Sequence, residues 1–254
     1  MNINFWKLDC MHGVQKSRLV LVHGYLGGSD QWNQQISDFS TNFDVVTPNL
    51  PGFGSNSFMK SPCCINAYAD YIISILDEAD ITDFHLLGHS MGGMIAQVIA
   101  VKIPQRVNKL ILYGTGALGI MPGRFETVDY SRQQLTLHGL EVSARRISEK
   151  WFVLGKLSKQ YEGCAQIALQ ASLQAAFAGL TAMQTWSGID DLSKIKSNTL
   201  ILWGDSDRSY SRFTTIQLHE GIVNSTLIIV KNGSHVIHTE NPYTFNQIVK
   251  NFLD

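Results

Sequence analysis

The chain has 254 residues, of which 44% are hydrophobic and 16% charged. That is long and apolar enough to bury a sizeable core in one or two domains, and too apolar for a disordered chain. Twenty Lys+Arg against 21 Asp+Glu leave a formal charge of -1, so the basic footprint that nucleic acid or an anionic membrane surface requires is missing.

In chain order, residues 1–9 read as a short strand and lack the basic and apolar regions of a signal peptide. No run approaches the roughly 18 apolar residues of a membrane span. Cys10, Cys63, Cys64 and Cys164 contain no Cys-x-x-Cys pair. They read as thiols in a reducing compartment, which makes the cytoplasm the expected location. Short continuous apolar runs occupy residues 18–22, 44–47, 84–87, 110–113, 200–203 and 227–230. Runs without alternation suit strands buried on both faces. Helical patterns cover 68–79, 91–102 and 243–253, the last entered through Asn241-Pro242. This alternation predicts an α/β fold, a mostly parallel sheet with helices on both faces. From 120 to 190 no strand pattern occurs, and 165–177 is the clearest helical run. A stretch of about 70 residues is too long for a loop. The expected organisation is a core of 1–119 and 191–254, with an all-helical cap, 120–190, inserted between two strands.

Gly88-His-Ser90-Met-Gly92 fits G-x-S-x-G, a pattern that chance alone supplies often enough that context must decide. Here it follows an apolar strand and opens a helix, the placement a nucleophile elbow needs. So tight a turn requires small neighbours, which Gly88, Gly92 and Gly93 provide. His23-Gly-Tyr25 follows the first apolar run. Acyl transfer builds negative charge on a substrate oxygen, and each preorganised N–H that meets it contributes about 3–4 kcal/mol. The Tyr25 and Met91 amides are the candidate oxyanion hole, with His23 bracing the loop. Trp203-Gly-Asp205-Ser-Asp207 offers two carboxylates to orient an imidazole. Gly233-Ser-His235-Val-Ile-His238 offers two histidines, of which His235 stands nearer the strand end. The types appear in the order Ser, Asp, His, each at the carboxyl end of a predicted strand, where open α/β sheets place their sites.

With these motifs the chain resembles the α/β-hydrolase superfamily from about residue 3 to 253. The segment from Val22 to Gly28 resembles its oxyanion loop. Asn49-Leu-Pro-Gly-Phe-Gly-Ser55 resembles its Asp-x-Pro-Gly-x-Gly-x-Ser segment, with Asn49 where Asp is usual, a departure that touches loop bracing. The resemblance implies Asp207 as the acid, three after the loop glycine, and His235 as the base, the first His of its loop. Tyr113-Gly-Thr-Gly, Arg124, Gly139 and Lys150-Trp-Phe152 are similar to the 3-oxoadipate enol-lactonase group of that superfamily.

The expected chemistry is hydrolysis of a small ester or lactone through an acyl-enzyme on Ser90, without metal or organic cofactor. Ser90 argues against the dehalogenases and epoxide hydrolases of this fold, which use Asp at the elbow. Carbon–carbon hydrolysis of a vinylogous diketone is the alternative, followed by perhydrolysis or cofactor-free oxygen chemistry, and by a ligand receptor. Trp151, Phe152 and Phe177 are candidates for the pocket wall or for core. Arg145, Arg146 and Lys150 form a basic cluster that either meets a substrate carboxylate or is a solvated helix face. The expected partner is a short small-molecule substrate, with neither nucleic acid nor membrane, and the expected state is a monomer or homodimer.

Overall fold

The structure is a computed structural model that describes residues 16–120 and 123–254; the strand expected at residues 1–9, and Cys10, lie outside the described residues. All six internal apolar runs are strands: β1 Ser17–Val22, β2 Phe43–Val46, β3 Phe84–His89, β4 Val107–Tyr113, β5 Asn198–Gly204 and β6 Ser225–Val230. They form one sheet in the order β2-β1-β3-β4-β5-β6, every pair parallel. The helices are α1 Asn33–Phe39, α2 Ile65–Glu78, α3 Met91–Lys102, α4 Val128–Glu149, α5 Tyr161–Leu169, α6 Leu173–Gln184, α7 Arg212–Gly221, α8 Ile237–Glu240 and α9 Pro242–Leu253.

Continuous apolar strands are explained by a core on each face. Val20, Leu86, Leu112 and Ile201 point to one, shared with Tyr68 and Ile72 of α2 and Ile95 of α3. Leu19, Leu87, Ile111 and Leu200 point to the other, where α1 contributes Phe39 and α9 contributes Phe245 and Val249. Truncating one such strand leucine to alanine costs about 2–5 kcal/mol.

The structure differs from the sequence pattern in two places, and the second difference has a local cause. Helix α2 starts at Ile65, ahead of the expected residue 68. The 165–177 run is two helices rather than one. Ser172 breaks it: its hydroxyl accepts from the Ala175 N–H (3.0 Å) and its own N–H donates to the Gly52 carbonyl (2.9 Å). A capping serine bonded to a core loop outweighs the helix propensity of its Ala- and Gln-rich flanks.

Helices α4 to α6 lie between β4 and β5 in the chain and dock on the loops at the strands' carboxyl ends. The Tyr25 hydroxyl, after β1, donates to the Ala176 carbonyl in α6 (3.0 Å). The Phe125 N–H donates to the Arg208 carbonyl after β5 (2.9 Å). The His235 N–H, after β6, donates to the Trp151 carbonyl (3.1 Å). Among the described residues no helix is long and apolar enough to cross a membrane.

Candidate active site

Ser90 sits between β3 and α3 with φ 56 and ψ -120, a left-handed conformation that is strained for a residue with a Cβ. Close packing holds it there. A Cβ on Gly92 would collide with the Val22 carbonyl oxygen, and one on Gly24 would come within 2.9 Å of Ser90 Cβ. Glycine at these two positions lets the loop after β1 lie against the serine. Neither the Tyr25 nor the Met91 amide has a hydrogen-bond partner among the described residues. The Tyr25 amide lies on that loop, and Met91 opens α3. Both amides are therefore free to meet an oxyanion.

The structure brings Asp207, not Asp205, to His235. His235 Nδ1–H donates to Asp207 Oδ2 (2.9 Å), and both side chains are buried. Asp207 Oδ1 accepts from the Ser209 (2.6 Å) and Tyr210 (3.2 Å) amides. Asp205 instead accepts the Asn232 N–H (2.7 Å) and holds the turn after β6. The His235 backbone is clamped as well. Its carbonyl accepts from the Tyr113 hydroxyl (2.9 Å) and from His89 Nε2–H (2.9 Å). The Tyr210 ring stacks on its imidazole at 5.7 Å. Ser90 Oγ is not among the hydrogen-bond partners of His235.

The other histidines have other jobs. His23 Nε2 accepts the Leu50 N–H (3.0 Å) and Nδ1–H donates to the Gly24 carbonyl (2.9 Å), so it braces the loop after β1. Asn49 braces the same region, accepting the Ser29 N–H (2.8 Å) and donating to the Ser29 and Ser55 hydroxyls. His238 is buried against Trp32 with Nδ1 on the Tyr113 hydroxyl (3.2 Å). Burial pushes His238 down to about 3 and His23 to about 4. Burial, reinforced by His235 and His238, holds His89 well below the usual imidazole range.

These depressed values make stability pH-dependent. Above about pH 6.5 the three rings are neutral both folded and unfolded, and their contribution is fully present. As pH falls below that, the unfolded chain takes up protons that the folded one refuses, and stability is lost towards the folded values near 4 and 3. The expected loss is up to about 1.4 kcal/mol per pH unit per histidine. Urea midpoints measured from pH 7 to 4.5 should fall, and His238→Asn should flatten the slope by one proton. An unchanged slope would count against a neutral buried His238.

Two small pockets share Tyr25, Ser90, Trp151 and His235 as a common wall. One continues past Leu26, Gln31, Cys164, Ile167 and Val236, the other past Arg124, Ile147, Met183, Ser209 and Tyr210. Trp151, open in the sequence between pocket wall and core, lines both pockets. Phe152 and Phe177 line neither pocket; Phe152 is buried against Tyr161, and Phe177 packs on the main core. The basic cluster is a surface feature. Arg145 pairs with Glu162 (3.0 Å), Arg146 with Glu126 and Lys150 with Glu149 (3.7 Å), and none reaches the pockets. Sequence reasoning missed the clamp formed by His89 and Tyr113 and the stacking Tyr210. Their only signal is position: the variable residue of the elbow, the carboxyl end of β4, and the acid loop.

A parallel sheet flanked by helices, with a strained serine turn at the carboxyl end of a central strand, defines the class of α/β hydrolases. A family profile described as an alpha/beta hydrolase fold matches residues 17–242, and the chain belongs to this family. It is 30% identical over 262 residues to a 2-hydroxy-6-oxononadienedioate/2-hydroxy-6-oxononatrienedioate hydrolase of Escherichia coli strain K12, covering 96% of this chain and 89% of that one. Among solved structures it is similar to the enol-lactonase from Burkholderia xenovorans LB400, with TM-score 0.86 and 19% identity over 96% of this chain and 93% of that one. An esterase from Thermogutta terrifontis gives TM-score 0.84 and 22% identity, covering 94% and 90%.

Proposed function

We propose that this α/β hydrolase cleaves a small carboxylic ester or lactone through an acyl-enzyme on Ser90. The observation that carries the reading is the strained Ser90, with the Tyr25 and Met91 amides unpartnered among the described residues and His235 of the buried His235–Asp207 pair on the same pocket wall. Ser90 Oγ attacks the carbonyl carbon while His235 Nε2 takes its proton and then returns it to the leaving oxygen. Asp207 keeps the Nδ1–H tautomer and stabilises the imidazolium. The Tyr25 and Met91 amides take the oxyanion. Water activated by His235 then releases the acid. Ester or lactone cleavage needs no group beyond these five.

Residues 120–190 act in this reading as a cap that closes the pockets, with Trp151 as its contact to substrate. The pockets are small, which suits a short substrate. The free thiols of Cys63, Cys64 and Cys164 suit an enzyme of the cytoplasm.

A second reading rests on the Escherichia coli relative, which its name assigns to a 2-hydroxy-6-oxo dienoic diacid. The same serine and histidine would then cleave a carbon–carbon bond in a vinylogous diketone. A p-nitrophenyl ester series from acetyl to dodecanoyl, a lactone panel and a 2-hydroxy-6-oxo-dienoate decide between the two, with Ser90→Ala beside the wild type. Turnover of short esters or lactones by wild type alone supports the first reading. Cleavage of the dienoate with no ester turnover overturns it in favour of the second.

A further inference from the structure

The pocket that Ser90 shares with Arg124, Ser209 and Tyr210 carries three buried polar atoms that lack a hydrogen-bond partner among the described residues. Arg124 Nη1, Ser209 Oγ and Tyr210 Oη have no hydrogen-bond partner among the described residues, and all three side chains line this one pocket with Ser90. Buried polar groups in folded proteins are almost always paired, so three orphans in one small space call for a ligand. All three can donate. Burial pushes the Tyr210 hydroxyl up to about 12, so it keeps its proton at neutral pH.

The charge balance points the same way. Arg124 is half-buried and forms no ion pair among the described residues, whereas Arg145, Arg146 and Lys150 all do. The carboxylate two residues along, Glu126, is taken by Arg146 and the Ser131 hydroxyl. Asp207, on the neighbouring loop, is committed to His235 and two amides. The guanidinium lies over the Phe125 ring at 5.2 Å, and the Phe125 N–H is bonded to the Arg208 carbonyl. The segment is thereby fixed to the acid loop that carries Ser209 and Tyr210. A fixed, uncompensated cation beside two hydroxyl donors is a receptor for a planar anion with two oxygens. The other pocket, with Leu26, Ile167 and Val236, is suited to uncharged substrate atoms.

We propose that Arg124, with Ser209 and Tyr210, binds a carboxylate on the substrate itself, so that the natural substrate is an ester or lactone bearing a free carboxylate beside the scissile carbonyl group. This deepens the proposed function and rests on it for the reaction, but not for the binding.

The test has a binding arm and a turnover arm. Glutarate is the binding probe, titrated by calorimetry into the wild type, Arg124→Gln and Arg124→Lys. The turnover arm compares mono-p-nitrophenyl glutarate with p-nitrophenyl butyrate for an acyl-side anion. It compares 4-acetoxybenzoate with its methyl ester for an alcohol-side anion. Glutarate should bind the wild type, and Arg124→Gln should weaken it by about ten-fold or more, the loss of a hydrogen-bonded charge contact. In one of the two pairs the anionic-over-neutral ratio of kcat/KM should fall by a similar factor, chiefly through KM. Arg124→Lys should recover part of both, since it keeps the charge without the planar fork. Ser209→Ala, which leaves the guanidinium in place, should weaken glutarate by a smaller factor and guards against misfolding of the arginine variants. Glutarate affinity and both ratios unmoved by Arg124→Gln would overturn the carboxylate site while leaving serine hydrolysis intact. Arg124-dependent glutarate binding without turnover of any ester or lactone would overturn the proposed reaction and uphold the site.

Discussion

His235→Ala lowers kcat on p-nitrophenyl butyrate by about 10⁶-fold, the scale on which a triad member fails, whereas His238→Ala keeps most of the wild-type value. The two residues stand three apart, and the surroundings decide between them. His235 has its Nδ1–H on a buried carboxylate, so that Nε2 is left as the acceptor, and it borders both pockets beside Ser90. His238 has no acid partner among the described residues; its Nδ1 meets the Tyr113 hydroxyl, and burial pushes it to about 3. A base that weak takes up almost no proton at neutral pH. His238→Ala does remove a ring packed on Trp32 and Phe245, so its melting temperature should drop. The comparison is therefore made per folded molecule, with circular dichroism alongside. Loss of turnover in folded His238→Ala, with activity retained in His235→Ala, would move the base.

Asp207→Asn should lower kcat by about 10⁴-fold, and Asp205→Asn should leave it nearly unchanged. The size of the first effect follows from two amides. Ser209 and Tyr210 both donate to Asp207 Oδ1, so an asparagine keeps its oxygen there and turns its NH₂ towards His235. His235 Nδ1 must then accept, its proton moves to Nε2, and the nitrogen facing the substrate can no longer take the serine proton. Asp205→Asn still accepts the Asn232 N–H and touches only the turn. Raising the pH should not rescue Asp207→Asn, because the fault is the tautomer and not the protonation level. A deep loss in Asp205→Asn instead would reassign the acid.

What was legible in the sequence divides along the range of the interactions concerned. Strands β1, β3, β4 and β5 could be read because they are buried on both faces and carry uninterrupted apolar runs. The elbow could be read because its glycines are demanded by contacts within a few residues or across one strand. The choice of Asp207 over Asp205 needed the family resemblance, since residues two apart on a loop differ only in what the fold brings to them. Arg124 stands out in the sequence only through a family resemblance, and its pocket position cannot be read there. Its place beside Ser90 depends on the bond from Phe125 to Arg208, which joins segments far apart in sequence, while the more conspicuous Arg145 and Arg146 find local acids. The division of the 165–177 run likewise hung on the Ser172 bond to Gly52.

The parallel order of the sheet bears on how this protein is made active. Central strand β4 ends at Tyr113 and its neighbour β5 begins at Asn198, with all of α4 to α6 between them. Closing so long a connection before any pairing is gained is entropically slow. Asp207 and His235 both lie beyond that closure, whereas Ser90, its elbow and the oxyanion loop lie before it. On a ribosome the first half can complete its serine turn while the acid and base are still unmade. Under the proposed mechanism, hydrolytic power arrives last in synthesis, and regain of activity on refolding reports pairing on both sides of that long connection.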